Sequence, residues 1–269
     1  MKFSLKNLLI TTTAASALIL AGCGDKEVDS NKIKIGVMAG AEAQVAEVAA
    51  KVAKEKYNLD VELVTFTDYV TPNAALDDGS VDINAFQHKP YLDQQISDRG
   101  YKLAIAGNSF VYPIAGYSKQ VTSVDQIADG SRIAVPNDPT NLGRSLLLLE
   151  QQGLLKLRAD TGLSGTIRDI VENPKNITIV ELDAAQLPRS LDDVALSIIN
   201  TTYASSIDLT PEKDGIFVED KKSPYVNLIV ARADNVESEK VQNFVKAYQT
   251  DEVYKAASEI FKGGVVKGW

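Results

Sequence analysis

The chain has 269 residues, 45% hydrophobic and 24% charged, with 28 Lys and Arg against 36 Asp and Glu and a formal net charge of −8. That mixture is globular and long enough for two α/β lobes, which excludes disordered and fibrous classes. The acidic balance, without a basic patch, excludes a surface built for nucleic acid. One histidine and one cysteine exclude an intramolecular disulfide, a Cys/His nucleophile pair, a His-rich zinc set and any Ser/His/Asp triad that does not use His88.

Lys2 and Lys6 precede an apolar run from about Leu8 to Leu20, the length of a signal-peptide core and short for a bilayer span. The run ends in Leu20-Ala21-Gly22-Cys23, which resembles the lipobox of bacterial lipoproteins, where cleavage leaves the cysteine first and lipid-bearing. Residues 1–22 therefore read as an export signal and 23–32 as a tether, whose acyl chains would hold the domain at a membrane. Removing 1–22 takes away two lysines and no acid, leaving 26 basic and 36 acidic side chains and a charge of −10. A buried free thiol fits poorly, since polar residues 24–31 follow Cys23.

Ile33, Ile35 and Val37 alternate as a strand, and Val45, Val48, Ala49, Val52 and Ala53 recur at helical spacing within 41–56. Val61–Phe66 reads as a second strand, 77–79 as a turn, and Val81–Ala85 as a third strand that leads into Phe86-Gln87-His88-Lys89-Pro90-Tyr91. Pro90 sits where a helix begins, with Gly100 as its stop. Phe110–Tyr117 reads as a strand interrupted by Pro113, at an edge or a crossing between lobes. Arg132–Val135 is a strand and Asn141–Gln152 a helix. Ile177–Leu182, Leu196–Ile199 and Tyr225–Val230 are strands, with a helical segment over Leu187–Asp193. Two amphipathic stripes, Val241 to Tyr248 and Val253 to Ile260, end the chain. Strands alternating with helices throughout indicate an α/β fold.

Residues 86–91 hold the only histidine beside two aromatics and a proline at a strand end, where α/β proteins hold small molecules. Phe86, His88 and Tyr91 could surround an apolar side chain, a thioether in particular. The rival reading is three rings in an ordinary core, with His88 bonded to a backbone carbonyl. Pro136 to Arg144 joins a strand to a leucine-rich helix, capped by Thr140 or Asn141, so Arg144 and free N–H groups could converge on a carboxylate. The alternative for Arg144 is an ion pair with Asp138 or Glu150. Asn200 and Asn227 end or interrupt strands, where asparagine is disfavoured; they suit either an ammonium group or a turn. Tyr69 and Tyr112 are weaker candidates that would also serve as core. Gly40, Gly143 and Gly263-Gly264 make no phosphate loop, because the Lys-Ser/Thr ending is missing.

At these residues the chain resembles the methionine-binding lipoproteins (MetQ and NlpA type), the substrate-binding subunits of bacterial methionine ABC importers. The likeness spans nearly all of 20–269. It is carried by Gly40-Ala41-Glu42, Phe86 to Tyr91, Phe110 to Tyr117, Pro136 to Arg144, Gln186-Leu187-Pro188-Arg189, Asn200 to Tyr203 and Ser223 to Asn227. It implies a two-lobe periplasmic-binding-protein fold (type II), with lobe one from 33–111 plus 203–269, lobe two from 112–202, and the ligand in the cleft. It further implies that Tyr69, Phe86, His88 and Tyr91 surround the methionine side chain and that Arg144 takes the carboxylate. Asn141, Asn200 and Asn227 would hold the amino and carboxylate groups. Between Asp193 and Asn200 the chain is about two residues shorter than the family pattern, and a one-residue slip there would turn Asn200 out of the cleft.

The expected protein is a monomeric binding lipoprotein of the cell envelope, anchored through Cys23 and facing the periplasm. It would deliver L- or D-methionine to the permease and ATPase of an importer, with no cofactor, no metal and no catalysis. Other readings are a binder of another apolar amino acid or short peptide, or a surface adhesion lipoprotein on the same fold.

Overall fold

The computed structural model describes residues 31–220 and 224–269. The signal segment 1–22, Cys23 and most of the tether lie outside the described residues. Among those described, no helix is long and apolar enough to cross a membrane.

β1 (Lys32–Met38) buries Ile33, Ile35 and Val37, and pairs in parallel with β2 (Asp60–Phe66), Lys32 against Asp60 through Met38 against Phe66. α1 (Ala41–Tyr57) crosses between them because Val45, Ala46, Ala49, Val52 and Ala53 form one apolar stripe; it ends at Asn58, which adopts the left-handed conformation. α2 (Thr71–Asp77), opened by Pro72, had no counterpart in the sequence reading. β3 (Ile83–His88) lies beside β1, and α3 (Lys89–Arg99) runs to Gly100, left-handed at φ 72. Phe86 to His88 thus belong to the strand rather than to a loop beyond it, and all six residues of β3 are buried.

β4 (Leu103–Val111) starts well before the predicted Phe110. Its Gly107 and Asn108 hide the strand pattern, and Gly107 is needed for packing: a Cβ there would meet the Val245 side chain at 2.7 Å. Tyr112–Ile114, with Pro113, carry the chain to a second sheet. That sheet holds β5 (Ala115–Tyr117), β6 (Arg132–Pro136), β9 (Thr178–Leu182) and β10 (Leu196–Ile199). α4 (Pro139–Gln151) follows β6, and β7 (Lys156–Leu157) pairs with β8 (Ile170–Glu172) in a small ribbon. α5 (Leu187–Ser190) is shorter than predicted; the buried Leu191 and Val194 sit in the turns after it.

α6 (Thr201–Ser205) and α7 (Pro211–Asp214) precede β11 (Phe217–Val218), which pairs antiparallel with β5. The second sheet therefore keeps the chain to Val218, past residue 203, where the return to the first lobe was expected. The pairing depends on a glycine, since a Cβ on Gly116 would lie 2.5 Å from the Phe217 ring. β12 (Val226–Arg232) then re-enters the first sheet between β3 and β4, followed by α8 (Glu239–Tyr248), α9 (Asp251–Ile260) and the edge strand β13 (Val266–Lys267).

The strand orders are β13-β4-β12-β3-β1-β2 and β11-β5-β10-β6-β9. Each sheet has its own apolar core. A third cluster joins Met38, Phe86 and Tyr91 of the first sheet's elements to Ala134, Leu187, Ile199 and Tyr203 of the second's. That cluster is the bed of the candidate site.

Candidate functional site

Tyr69, Phe86, His88, Tyr91, Asn141, Arg144, Asn200 and Asn227, the eight residues that the resemblance assigns to the ligand, all line one cavity, together with Tyr112, the other tyrosine singled out in the sequence, and Gln87, Thr201 and Thr202. With its mouth open to solvent, it holds about 360 Å³ of space between the atoms.

One wall is aromatic. Tyr69 and Phe86 have ring centroids 6.0 Å apart, and Phe86 meets Tyr91 edge-on at 6.0 Å. Tyr91 donates its hydroxyl to the Tyr69 main-chain carbonyl at 2.7 Å, so the polar end of the Tyr91 ring is tied up by protein and its face remains. Behind the wall, Asn73, Asn84 and Gln87 form a closed amide network, including Asn73 Nδ2 to Gln87 Oε1 at 2.8 Å and Gln87 Nε2 to Asn73 Oδ1 at 2.6 Å. It locks α2 against β3 with every buried amide partnered.

His88 ends β3 and caps α3: its Nδ1 accepts the Tyr91 N–H at 3.2 Å. The capping nitrogen must be bare, so the proton sits on Nε2, which lies 3.2 Å from Asn141 Oδ1 and donates to it. Burial, and then the charge of Arg144, push the His88 pKa down to about 3. Neutral and with both nitrogens occupied, the ring is a wall and a strut. It bonds a backbone N–H rather than the carbonyl first considered.

α4 supplies the polar end. Asp138 caps it, accepting Asn141 N–H at 2.9 Å, and Pro139 starts it. Asn141 and Arg144, three apart, share a face. Arg144 does not pair with Asp138 or Glu150, the partners weighed from sequence. It pairs side-on with Glu219, Nε to Oε1 at 2.9 Å and Nη2 to Oε2 at 2.5 Å, and gives Nη2 also to the Tyr112 carbonyl at 3.0 Å. Its guanidinium carbon lies 4.3 Å from the centre of the Tyr225 ring. A guanidinium has five N–H groups, and these contacts use three, so Nη1 keeps its two for a further acceptor.

Two of the asparagines present free carbonyl oxygens. Asn200 gives Nδ2 to Asn141 Oδ1 at 2.9 Å and leaves its own Oδ1 buried without a partner. The short segment before it keeps register, Ile198 against Gly116 and Ser197 against Ala134, and Asn200 faces the cavity. Asn227, opposite His88 in the β3–β12 ladder, gives Nδ2 to the Phe86 carbonyl at 3.1 Å. Asn141 is fully engaged by Asp138, His88 and Asn200.

Sequence reasoning missed Glu219, Thr202 and the role of Glu42. Glu42, in the first turn of α1, is 3% exposed and accepts from Thr202 Oγ1. Burial raises its pKa to about 8, against a smaller lowering by that hydrogen bond. The signal available was a lone acid in the Gly40-Ala41-Glu42 motif; nothing local marked its partner. Among the described residues no cluster of three or more His, Cys, Asp or Glu side chains is placed to hold a metal.

The NlpA lipoprotein family model matches residues 33–269. A relative from Vibrio cholerae, named as a probable D-methionine-binding lipoprotein MetQ, is 83% identical over 269 residues, covering all of both chains. A solved periplasmic substrate-binding protein of an ABC transporter from Coxiella burnetii superposes with a TM-score of 0.86 at 47% identity, covering 88% of this chain and all of the other. A nutrient-binding protein from Burkholderia cenocepacia, solved bound to methionine, gives 0.86 at 49% identity with the same coverage.

Proposed function

The chain belongs to the NlpA lipoprotein family, and on that premise we propose that it captures methionine between its two sheets and delivers it, chemically unchanged, to an ABC importer. The observation that carries this reading is the division of one cavity into an aromatic wall and a polar end with unspent donors and acceptors. Phe86, Tyr69 and Tyr91 offer ring faces and edges to a thioether, which gains from sulfur against aromatic edges. Arg144 Nη1 meets the carboxylate, and the Asn200 and Asn227 carbonyl oxygens meet the ammonium. His88 backs the apolar tail and holds Asn141.

Lobe one comprises residues 33–111 and the C-terminal part from β12 onward, and lobe two residues 112–218. Closure of the lobes is a population shift driven by contacts the ligand makes only in the closed form. The protein acts as a monomer in the cell envelope, tethered by lipid on Cys23 and facing the permease and ATPase of the importer. The names of the relatives, and the methionine held by the solved one, support the ligand. Native mass spectrometry of freshly purified protein tests it: the expected adduct has the mass of one methionine and is displaced by added labelled methionine. A retained adduct of another mass that methionine does not displace would replace the ligand.

A further inference from the structure

Taking the cavity as the methionine site just proposed, we propose that Asp138, which does not line that cavity, is the positioning residue that fixes the acceptor for the ligand's amino group. Hydrogen-bond direction fixes the chain of contacts from Asp138 to Asn200. A carboxylate only accepts, so the Asn141 amide beside it must turn its Nδ2 toward Asp138, and it does, at 3.1 Å from Oδ1 and 2.9 Å from Oδ2. Asn141 Oδ1 is thereby forced to the other side, where His88 Nε2 and Asn200 Nδ2 both donate to it, at 3.2 and 2.9 Å. Asn200, having spent its Nδ2 on Asn141, keeps Oδ1 buried without a partner in the cavity wall.

A zwitterionic amino acid carries one hydrogen-bond donor, its ammonium, so a buried carbonyl oxygen in the wall selects that group and no other. Each link in the series is directional. Reversing the first amide places N–H against N–H at Asn200 unless Asn200 also turns, and then its Nδ2 rather than its Oδ1 faces the ammonium. The other hydrogen bonds of Asp138, from Asn141 N at 2.9 Å and Thr140 Oγ1 at 3.0 Å, are an ordinary helix cap that a neutral side chain can also make. The cap uses Oδ1 alone, whereas the Asn141 amide also leans on Oδ2, so a substitution that keeps one oxygen and removes the other, or puts an N–H in its place as Asp138→Asn does, separates capping from orientation.

The test uses Asp138→Asn and Asp138→Ser, both of which retain a capping oxygen, with two ligands measured by calorimetry: methionine and 4-(methylthio)butanoate, which lacks only the amino group. Both variants should lose about tenfold or more in methionine affinity, the range for a lost hydrogen bond to a charged group, while the des-amino compound binds within about twofold of the parent. The nitrogen-15 shifts of the single histidine should also move in Asp138→Asn, because the acceptor for its Nε2 proton has turned away. Equal losses for both ligands with an unmoved histidine would reduce Asp138 to a structural cap and overturn the inference. So would unchanged methionine binding. If the parent itself fails to bind methionine while retaining another ligand, the functional reading has failed instead, and this inference falls with it.

Discussion

Arg144 and Glu219 offer a test in which stability, with no ligand present, reports on the site. Their side chains are 3% and 11% exposed, and they form a side-on pair with two N–H···O bonds. Removing either partner alone leaves the other charge buried beside Tyr112 and Tyr225, which for buried pairs costs about 3–5 kcal/mol. Replacing both with apolar groups of similar volume leaves no stranded charge, and such replacements are often neutral. Arg144→Met and Glu219→Leu should therefore each destabilise by about 3–5 kcal/mol, while the double variant loses less than either single, an interaction of at least about 2 kcal/mol. The assay is denaturant unfolding of ligand-stripped protein at neutral pH, with the slope checked for constancy across the four proteins. Additivity within about 0.5 kcal/mol would show that the two charges do not sense one another, and would refute the account of the polar end given above. Arg144→Met should also weaken methionine binding by about 2–5 kcal/mol, a loss that the double variant does not recover, since the Nη1 donor is gone in both.

Stability should depend on pH through two buried groups of opposite sense. Between its ordinary 4.5 and its folded value of about 8, Glu42 holds a proton in the fold that the unfolded chain has lost, so its contribution falls as pH rises. Between about 3 and 6.5 the unfolded chain holds a proton on His88 that the fold lacks, so that contribution rises with pH. The two offset one another from pH 4.5 to 6.5; above that Glu42 acts alone and removes about 2 kcal/mol by pH 8, a decline that Glu42→Gln should abolish in unfolding measurements. Gly143→Ala places a Cβ 2.3 Å from the Leu163 carbonyl oxygen, a backbone atom, so α4 must shift. We expect a loss of about 1–3 kcal/mol in stability and weaker methionine binding, read by thermal unfolding and calorimetry, because Asn141 and Arg144 ride on that helix. Phe86→Ala should cost about 3–5 kcal/mol in stability and narrow the preference for methionine over norleucine, the sulfur-free analogue of equal length.

Much of the fold was legible because its signals are local. Alternation gave β1 and the spacing of Val45 to Ala53 gave α1, while Pro113 marked the passage between the sheets. β4 was obscured because Gly107, which α8 requires for close approach, breaks the pattern that would have announced a strand. The site residues drawn from sequence meet at one cavity, but what each side chain does there was not readable. Glu219 reaches Arg144 across 75 positions and Thr202 reaches Glu42 across 160, and in the sequence those acids resemble any others on an acidic surface. Tertiary partnership gives them meaning, and no window of neighbouring residues contains it.

The pairing of Arg144 with Glu219 also bears on how fast ligand arrives. The cation meets its counter-charge within the fold, so the cavity presents no net positive field to a distant molecule, and a zwitterion carries no net charge for the protein's overall acidity to repel. Encounter is therefore governed by diffusion and by how often the lobes stand open, and the association rate should stay level as ionic strength is varied. Under the proposed function, selectivity is exercised after entry, at short range, by a guanidinium with one nitrogen to spare and by the unpartnered Asn200 carbonyl oxygen.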